Sequence, residues 1–211
     1  MNCQCQGIEI EFNQNVADRD LKSYLSKGTQ DTTRLLVESL IAEGVEGLTL
    51  LDIGGGVGVI QYELFKAGVS KVISVDASKA YIGTARKEAT RRGLTEKIDY
   101  IQGDFVTLAK DIPSANIVTL DRVICCYDDM ENLVGLSAAH ARNLYGIVYP
   151  RDAWWVKIGI AVINLLFQLR RSPFRTFSYS TQAVEAVLDR SGFKRHSYHH
   201  NLVWQVVVYT R

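Results

Sequence analysis

Short apolar runs alternate along the chain with longer stretches whose apolar positions recur at helical spacing. After about 30 mostly polar residues, Leu35, Leu36, Leu40 and Ile41 mark an amphipathic helix over 32–43. Residues 48–53 read as a buried strand, Gly54 to Gly58 as a tight turn and 59–67 as a helix that Gly68 stops. The pattern then predicts a strand over 72–75, a helix over 79–92 closed by Gly93, and strands over 98–102 and 115–120. A helix over 130–142 and a strand over 144–149 follow. Strands and helices alternating at this spacing mean βαβ units, which right-handed crossovers wind into a parallel sheet covered on both faces.

The end of the chain breaks the rhythm. After a helix over 181–190, strand-like runs over 193–198 and 202–209 are joined only by His199-His200-Asn201. So short a link cannot cross over, which makes this pair antiparallel. The expected fold class is therefore α/β: a doubly wound, Rossmann-like, seven-stranded sheet, mostly parallel, with an antiparallel C-terminal hairpin.

Composition changes the picture little until it is divided. At 211 residues, 47% apolar and 22% charged, the chain is long enough for one domain and is neither disordered nor fibrous. The net charge of +1 hides an asymmetry. Residues 1–150 carry 15 basic and 20 acidic side chains, whereas 151–211 carry 9 basic and 3 acidic. Four cysteines (Cys3, Cys5, Cys125, Cys126) are too few and too clustered for a secreted disulfide scaffold. The start, MNCQCQGIEIEF, shows no signal-peptide pattern. The most apolar stretch, 153–169, contains Lys157, Asn164 and Gln168 and falls short of the ~20 residues of a bilayer span. A cytoplasmic, soluble protein is expected.

Candidate chemistry gathers at the strand tips. In Leu51-Asp52-Ile53-Gly54-Gly55-Gly56-Val57-Gly58 the glycines permit a tight turn and close approach to a ligand. An acid two positions before the first glycine suits a ligand with a cationic group and would repel a pyrophosphate. Asp76 ends the second strand, where a carboxylate can accept both hydroxyls of a ribose. Gly103-Asp104-Phe105 follows the third strand, with a carboxylate for an amino group and a ring to pack on a base. Any one of these acids alone would read as a turn or helix cap; three at successive tips do not.

These residues resemble the class I S-adenosylmethionine-dependent methyltransferases, whose sheet also ends in an antiparallel hairpin. The resemblance covers about residues 45–150 and the hairpin in outline. It implies S-adenosylmethionine as cofactor, with Asp52, Gly54, Gly55, Gly56 and Gly58 around its methionine part. Asp76 with Ala77 would hold the ribose, Asp104 with Phe105 the adenine, and Asp121 would border the methionine end. Dinucleotide oxidoreductases share the loop but not the hairpin or the Gly-Asp-Phe. The expected organisation is a single methyltransferase domain over 1–211: a helical lid (1–44), a cofactor-binding core (45–150), an apolar cap insertion (151–180), and a C-terminal helix and hairpin (181–211). Tyr24, Lys27 and Gly28 are the expected lid contacts.

The acceptor side is sought beyond the fourth strand. Methyl transfer from a sulfonium requires alignment and exclusion of water, and a base only for acceptors protonated at neutral pH. Asp121 and Tyr127 are the catalytic candidates, although Cys125-Cys126-Tyr127 stands where many small-molecule members of the family carry a histidine. Tyr24, Tyr149, Arg151, Trp154 and Arg175 are the expected acceptor contacts, the arginines clamping carboxylates beside an apolar wall. That wall is a helix over 153–169, read as a core helix, as a cap over the site, or as a surface resting on a membrane. The layout is loosely similar to the magnesium-protoporphyrin O-methyltransferases, which methylate a propionate of a hydrophobic tetrapyrrole. The similarity lacks the histidine, and its N-terminal part rests only on Phe12 and Tyr24.

The expected function is thus methylation of a small or medium, hydrophobic, acidic acceptor, with O-methylation preferred. A non-catalytic cofactor-binding scaffold or partner subunit is the alternative. A small molecule is the expected partner; a homodimer and peripheral membrane contact both stay open. Nucleic acid is disfavoured, because the basic residues are interleaved with a greasy helix and carry no recognition module. The cysteines lack zinc-site spacing, and no metal site is expected.

Overall fold

The computed structural model of the chain describes residues 3–211, side chains included from Gln6 onward. Five parallel strands form the body of one seven-stranded sheet: β1 (Thr49–Ile53), β2 (Lys71–Asp76), β3 (Ile98–Gln102), β4 (Ala115–Asp121) and β5 (Ala141–Pro150). β6 (Lys194–His200) and β7 (Trp204–Thr210) complete the order β3-β2-β1-β4-β5-β7-β6, with β7 antiparallel to both its neighbours. The hairpin turn lies slightly later than its sequence suggests. His199 and His200 belong to β6, and Asn201 makes the turn, its Oδ1 accepting from the amides of Val203 (2.9 Å) and Trp204 (2.8 Å).

Neighbouring residues on each strand face opposite layers, and both layers are apolar, as buried parallel strands require. On one side α7 (Met130–His140) and α9 (Thr181–Arg190) cover Leu51, Val118, Leu120, Tyr145, Ile147 and Val207. On the other, α3 (Asp31–Ala42), α4 (Val59–Lys66) and α5 (Lys79–Arg91) cover Leu50, Val72, Ile117, Leu144, Val148 and Val206. Gly146 lets α3 sit close, since a Cβ there would lie 2.7 Å from Leu36 Cδ1.

The expected 1–44 lid divides in two. α3 buries Leu36, Val37 and Leu40 against the sheet and is a core helix. α1 (Cys3–Glu11) and α2 (Gln14–Lys27), with the link through Gly28, lie over the strand tips. α8 (Trp154–Leu169) leads from β5 toward α9, and a short helix, α6 (Phe105–Leu108), follows β3. Among the described residues, no helix is long and apolar enough to cross a membrane.

Candidate functional site

β1 has β2 on one side and β4 on the other, so the winding reverses there and leaves a crevice at the carboxyl ends of the strands. A cavity of about 520 Å³ fills this crevice, within the range of small-molecule sites. Its floor is Asp52 to Val57, Asp76 and Ala77, Gly103 to Phe105, and Asp121 to Val123.

Beneath the glycine loop lies a buried polar network. Asp52 accepts from Thr119 Oγ1 (2.7 Å) and Gln61 Nε2 (2.9 Å), and the same Gln61 amide donates to Ser74 Oγ (2.9 Å). Burial raises the Asp52 carboxyl from its ordinary 3.8 to about 7, against the pull of those two donors. Gly55 rests on this network: a Cβ would stand 2.6 Å from Gln61 Nε2 and 2.7 Å from Asp52 Oδ2. Gly54 is left-handed (φ 66°), and a Cβ on it would strike Val123 at 2.5 Å. Gly54 and Gly55 thus carry no side chain because there is no space beneath or beside them, whereas Gly56 has open space around it and is favoured by its left-handed backbone (φ 54°).

Asp76 ties the loop to α5, accepting from Gly56 N (2.9 Å) and Ser78 N (2.8 Å) on separate oxygens. Burial pushes its carboxyl up to about 6. Each oxygen keeps a second lone pair, so the side chain can still accept from two hydroxyls. Asp104 caps α6, accepting from Val106 N (3.1 Å) and Thr107 Oγ1 (2.9 Å), with buried Phe105 beside it.

Tyr127 has a partner that the sequence did not suggest. It lines the cavity, but its hydroxyl donates to Asp104 at 3.2 Å, at the tip of β3. The turn after β4 packs its ring into the same apolar cluster as Phe105 and Met130. Asp121 borders the cavity but is already engaged. It accepts from Arg122 Nε (2.9 Å) and Thr33 Oγ1 (2.5 Å), while Arg122 also reaches Gln30 and lies 5.9 Å over the Trp204 ring. This clamp joins the start of α3 to the tip of β4, and spacing along the sequence gave no sign of Gln30 or Thr33.

Other placements divide. Tyr24 and Gly28 line the cavity, whereas Lys27 is not part of its wall. Tyr24 donates to Glu63 Oε1 (2.6 Å), and burial with that bond lifts its hydroxyl to about 12. Tyr81, donating to Asp20 Oδ2 (2.6 Å), also lines the cavity and was missed. The expected acceptor contacts beyond β5 are not brought there. Tyr149 is fully buried in the core beneath α9, on the same face as Tyr145 and Ile147. Trp154 is 70% exposed. Arg151 is spent on the hairpin, donating to Asn201 O (3.1 Å), and Arg175 donates to the carbonyls of Ser172 and Phe174 (2.6 Å each).

The roof is instead Ile8 of α1, Phe12 just after it, Ile163 of α8, and Phe174 and Thr176. Phe174 is held edge-on between Phe12 (5.6 Å) and Phe167 (5.2 Å). Cys125 and Cys126 stand in the wall with sulfurs 3.8 Å apart; that contact and burial push the Cys125 thiol up. The side chains of Cys3 and Cys5 lie outside the described residues, and among those described no three ligand-type side chains converge for a metal.

An O-methyltransferase domain family model matches residues 3–201. The ribosomal protein L11 methyltransferase of Alteromonas mediterranea is 29% identical over 133 residues, 59% of this chain and 46% of that protein. The chain spans about half or less of the length of the curated relatives it matches. The crystal structure of magnesium protoporphyrin IX methyltransferase from Synechocystis PCC 6803 with bound SAH has a similar fold, with a TM-score of 0.74 at 19% identity over 99% of both chains. An O-methyltransferase family protein from Burkholderia thailandensis reaches 0.74 at 14% identity, over 97% of this chain and 62% of that one.

Proposed function

The chain belongs to the O-methyltransferase domain family, and from that premise we propose that it is a cytoplasmic enzyme methylating an oxygen of a hydrophobic, acidic small molecule. S-adenosylmethionine supplies the activated methyl group when bound. The donor set fits it: a carboxylate with spare lone pairs at the tip of β2, a glycine-rich loop after β1, and a buried ring beside Asp104. Asp76 would hold the ribose hydroxyls, Asp104 and Phe105 the adenine, and Gly54 to Gly58 the methionine part. The rest falls to the chain's own residues, which align the acceptor and exclude water.

The observation that carries this reading is the row of acids around that loop under an apolar roof of Ile8, Phe12, Ile163 and Phe174. The choice of acceptor follows from what else lines the cavity. Among the described residues, no histidine or lysine does, and the Asp121 carboxylate is held by Arg122 and Thr33. A phenol or amine is protonated at neutral pH and needs a base; a carboxylate is already ionised and needs none. Arg151 and Arg175 form no clamp at the cavity, since their guanidinium groups donate to the backbone carbonyls of Asn201, Ser172 and Phe174.

The test has two stages. Calorimetry with S-adenosylhomocysteine checks the cofactor, and methyl-labelled S-adenosylmethionine is then offered with apolar carboxylic acids, phenols and amines, a metalloporphyrin acid among them. We expect label in an alkali-labile ester. Label only in ethers or amines refutes the carboxylate, and binding without turnover on any acceptor favours a non-catalytic cofactor-binding subunit.

A further inference from the structure

α8 does not behave as a core helix. Its sequence, WWVKIGIAVINLLFQL, is apolar almost all round, yet Val156 is its only buried residue. Ile160, Asn164 and Phe167 are half-buried and attach one side of it to the molecule. The opposite side, with Trp154, Ile158, Val162, Leu165 and Leu169, is exposed, Leu169 to 72%. The β6–β7 turn extends this surface, because Trp155 Nε1 donates to Leu202 O (3.1 Å) and brings exposed Leu202 and Val203 alongside. Apolar patches of this extent on a folded chain mark a surface that something covers.

Charge identifies what. The three acids of residues 151–211 are each paired with a base: Asp152 with Lys157 (2.5 Å), Glu185 with Arg195 (2.7 Å) and Asp189 with Lys194 (3.7 Å). Arg170 and Arg171, exposed at the end of α8, have no carboxylate partner among the described residues, and Arg151 lies 5.8 Å over the Trp155 ring. The rim of the patch is therefore positive. A second copy docking here would set like charges together, since a two-fold contact opposes a patch to itself. An anionic lipid surface complements both the apolar centre and the basic rim. Adjacent tryptophans at one end suit the boundary where acyl chains meet water. At 16 residues α8 is shorter than the ~20 of a spanning helix, so it would lie in the plane of the membrane.

We propose that α8 and the β6–β7 turn dock this protein on the face of an anionic lipid bilayer. The same helix carries Ile163 in the roof of the cavity, so its outer side meets lipid while its inner side borders the acceptor space. A greasy acid dissolved in the bilayer would then enter beneath α8. That last step rests on the function proposed above; the docking does not.

Cosedimentation of the full chain with phosphatidylcholine vesicles, with and without phosphatidylglycerol, tests it without cofactor or acceptor. Binding should appear with phosphatidylglycerol, weaken with salt, and fall at least tenfold in Leu165→Glu/Leu169→Glu. Brominated acyl chains should quench the tryptophan emission of the wild type. All the altered side chains are exposed, and an unchanged Tm would show that folding is intact. Absence of binding overturns the proposal, and so does light scattering that finds a dimer dissolved by the same substitutions. Vesicle binding without any methyl transfer would sink the enzymatic reading and leave the docking intact.

Discussion

Asp76 takes a backbone N–H on each carboxylate oxygen, from Gly56 and from Ser78, so one side chain sets the distance between the glycine loop and the start of α5. Asp76 also lines the cavity, which makes its removal costly twice over. Asp76→Ala should weaken S-adenosylhomocysteine binding by about 1.5–3 kcal/mol, the range for hydrogen bonds to a charged group. Calorimetry on both proteins measures this, and an unchanged Kd would remove Asp76 from the site. Asp76→Asn should fall between, because its amide nitrogen cannot accept from either backbone N–H. Asp76 was legible in the sequence because its place depends only on a strand end and a glycine loop. The engagement of Tyr127 with Asp104 was not, because 23 residues separate them and neither carries a local mark of the other. Tyr149 was misread although a signal existed: counting by twos from Tyr145 and Ile147 puts it on the buried face of β5.

At the scale of elements, legibility followed burial. α9 falls on its expected bounds, since it turns Val184, Val187 and Leu188 to the core; β3 does so too, although at the sheet edge it buries only Ile98 fully. α1 and α2 left no clear period: among the described side chains, α2 buries only Ala17 and Tyr24. α8 was apolar enough to read, but its orientation was not, because a helix greasy all round does not say which side packs. What fixes it is polar. Asn164 donates to Thr176 O (2.7 Å) and accepts from Thr176 N (2.8 Å), strapping the segment after α8 back onto the helix. Asn164→Leu leaves both Thr176 groups without a side-chain partner, at about 1–3 kcal/mol for each that stays buried. Because α8 buries so little, the loss should stay local. Hydrogen exchange should show Thr176 and Phe177 deprotected, with β4 and β5 unchanged; deprotection spreading into the sheet would show that α8 belongs to the cooperative core.

Across the whole molecule, the division of charge has a structural counterpart. Several acids of the front part are drawn into the crevice at the strand tips, whereas three bases of the last 61 residues, Arg151, Arg170 and Arg171, flank the exposed apolar face of α8. Burying carboxylates has a price that pH reveals. Asp52 and Asp76 are lifted from 3.8 to about 7 and about 6, chiefly by burial. Between about pH 4 and pH 7 the folded chain therefore holds protons that the unfolded chain has released, and stability falls as pH rises. Their contribution is fully present below the unfolded value and is lost as pH climbs through the folded ones. The slope is at most about 1.4 kcal/mol per pH unit for each acid. Asp52→Asn keeps the shape, takes no charge, and should flatten this descent by Asp52's share. Urea midpoints of both proteins from pH 5 to pH 8 measure it. Parallel curves would mean that Asp52 is ionised throughout this range, its charge held by Gln61 and Thr119, and that the crevice tolerates a buried negative charge before any cation arrives.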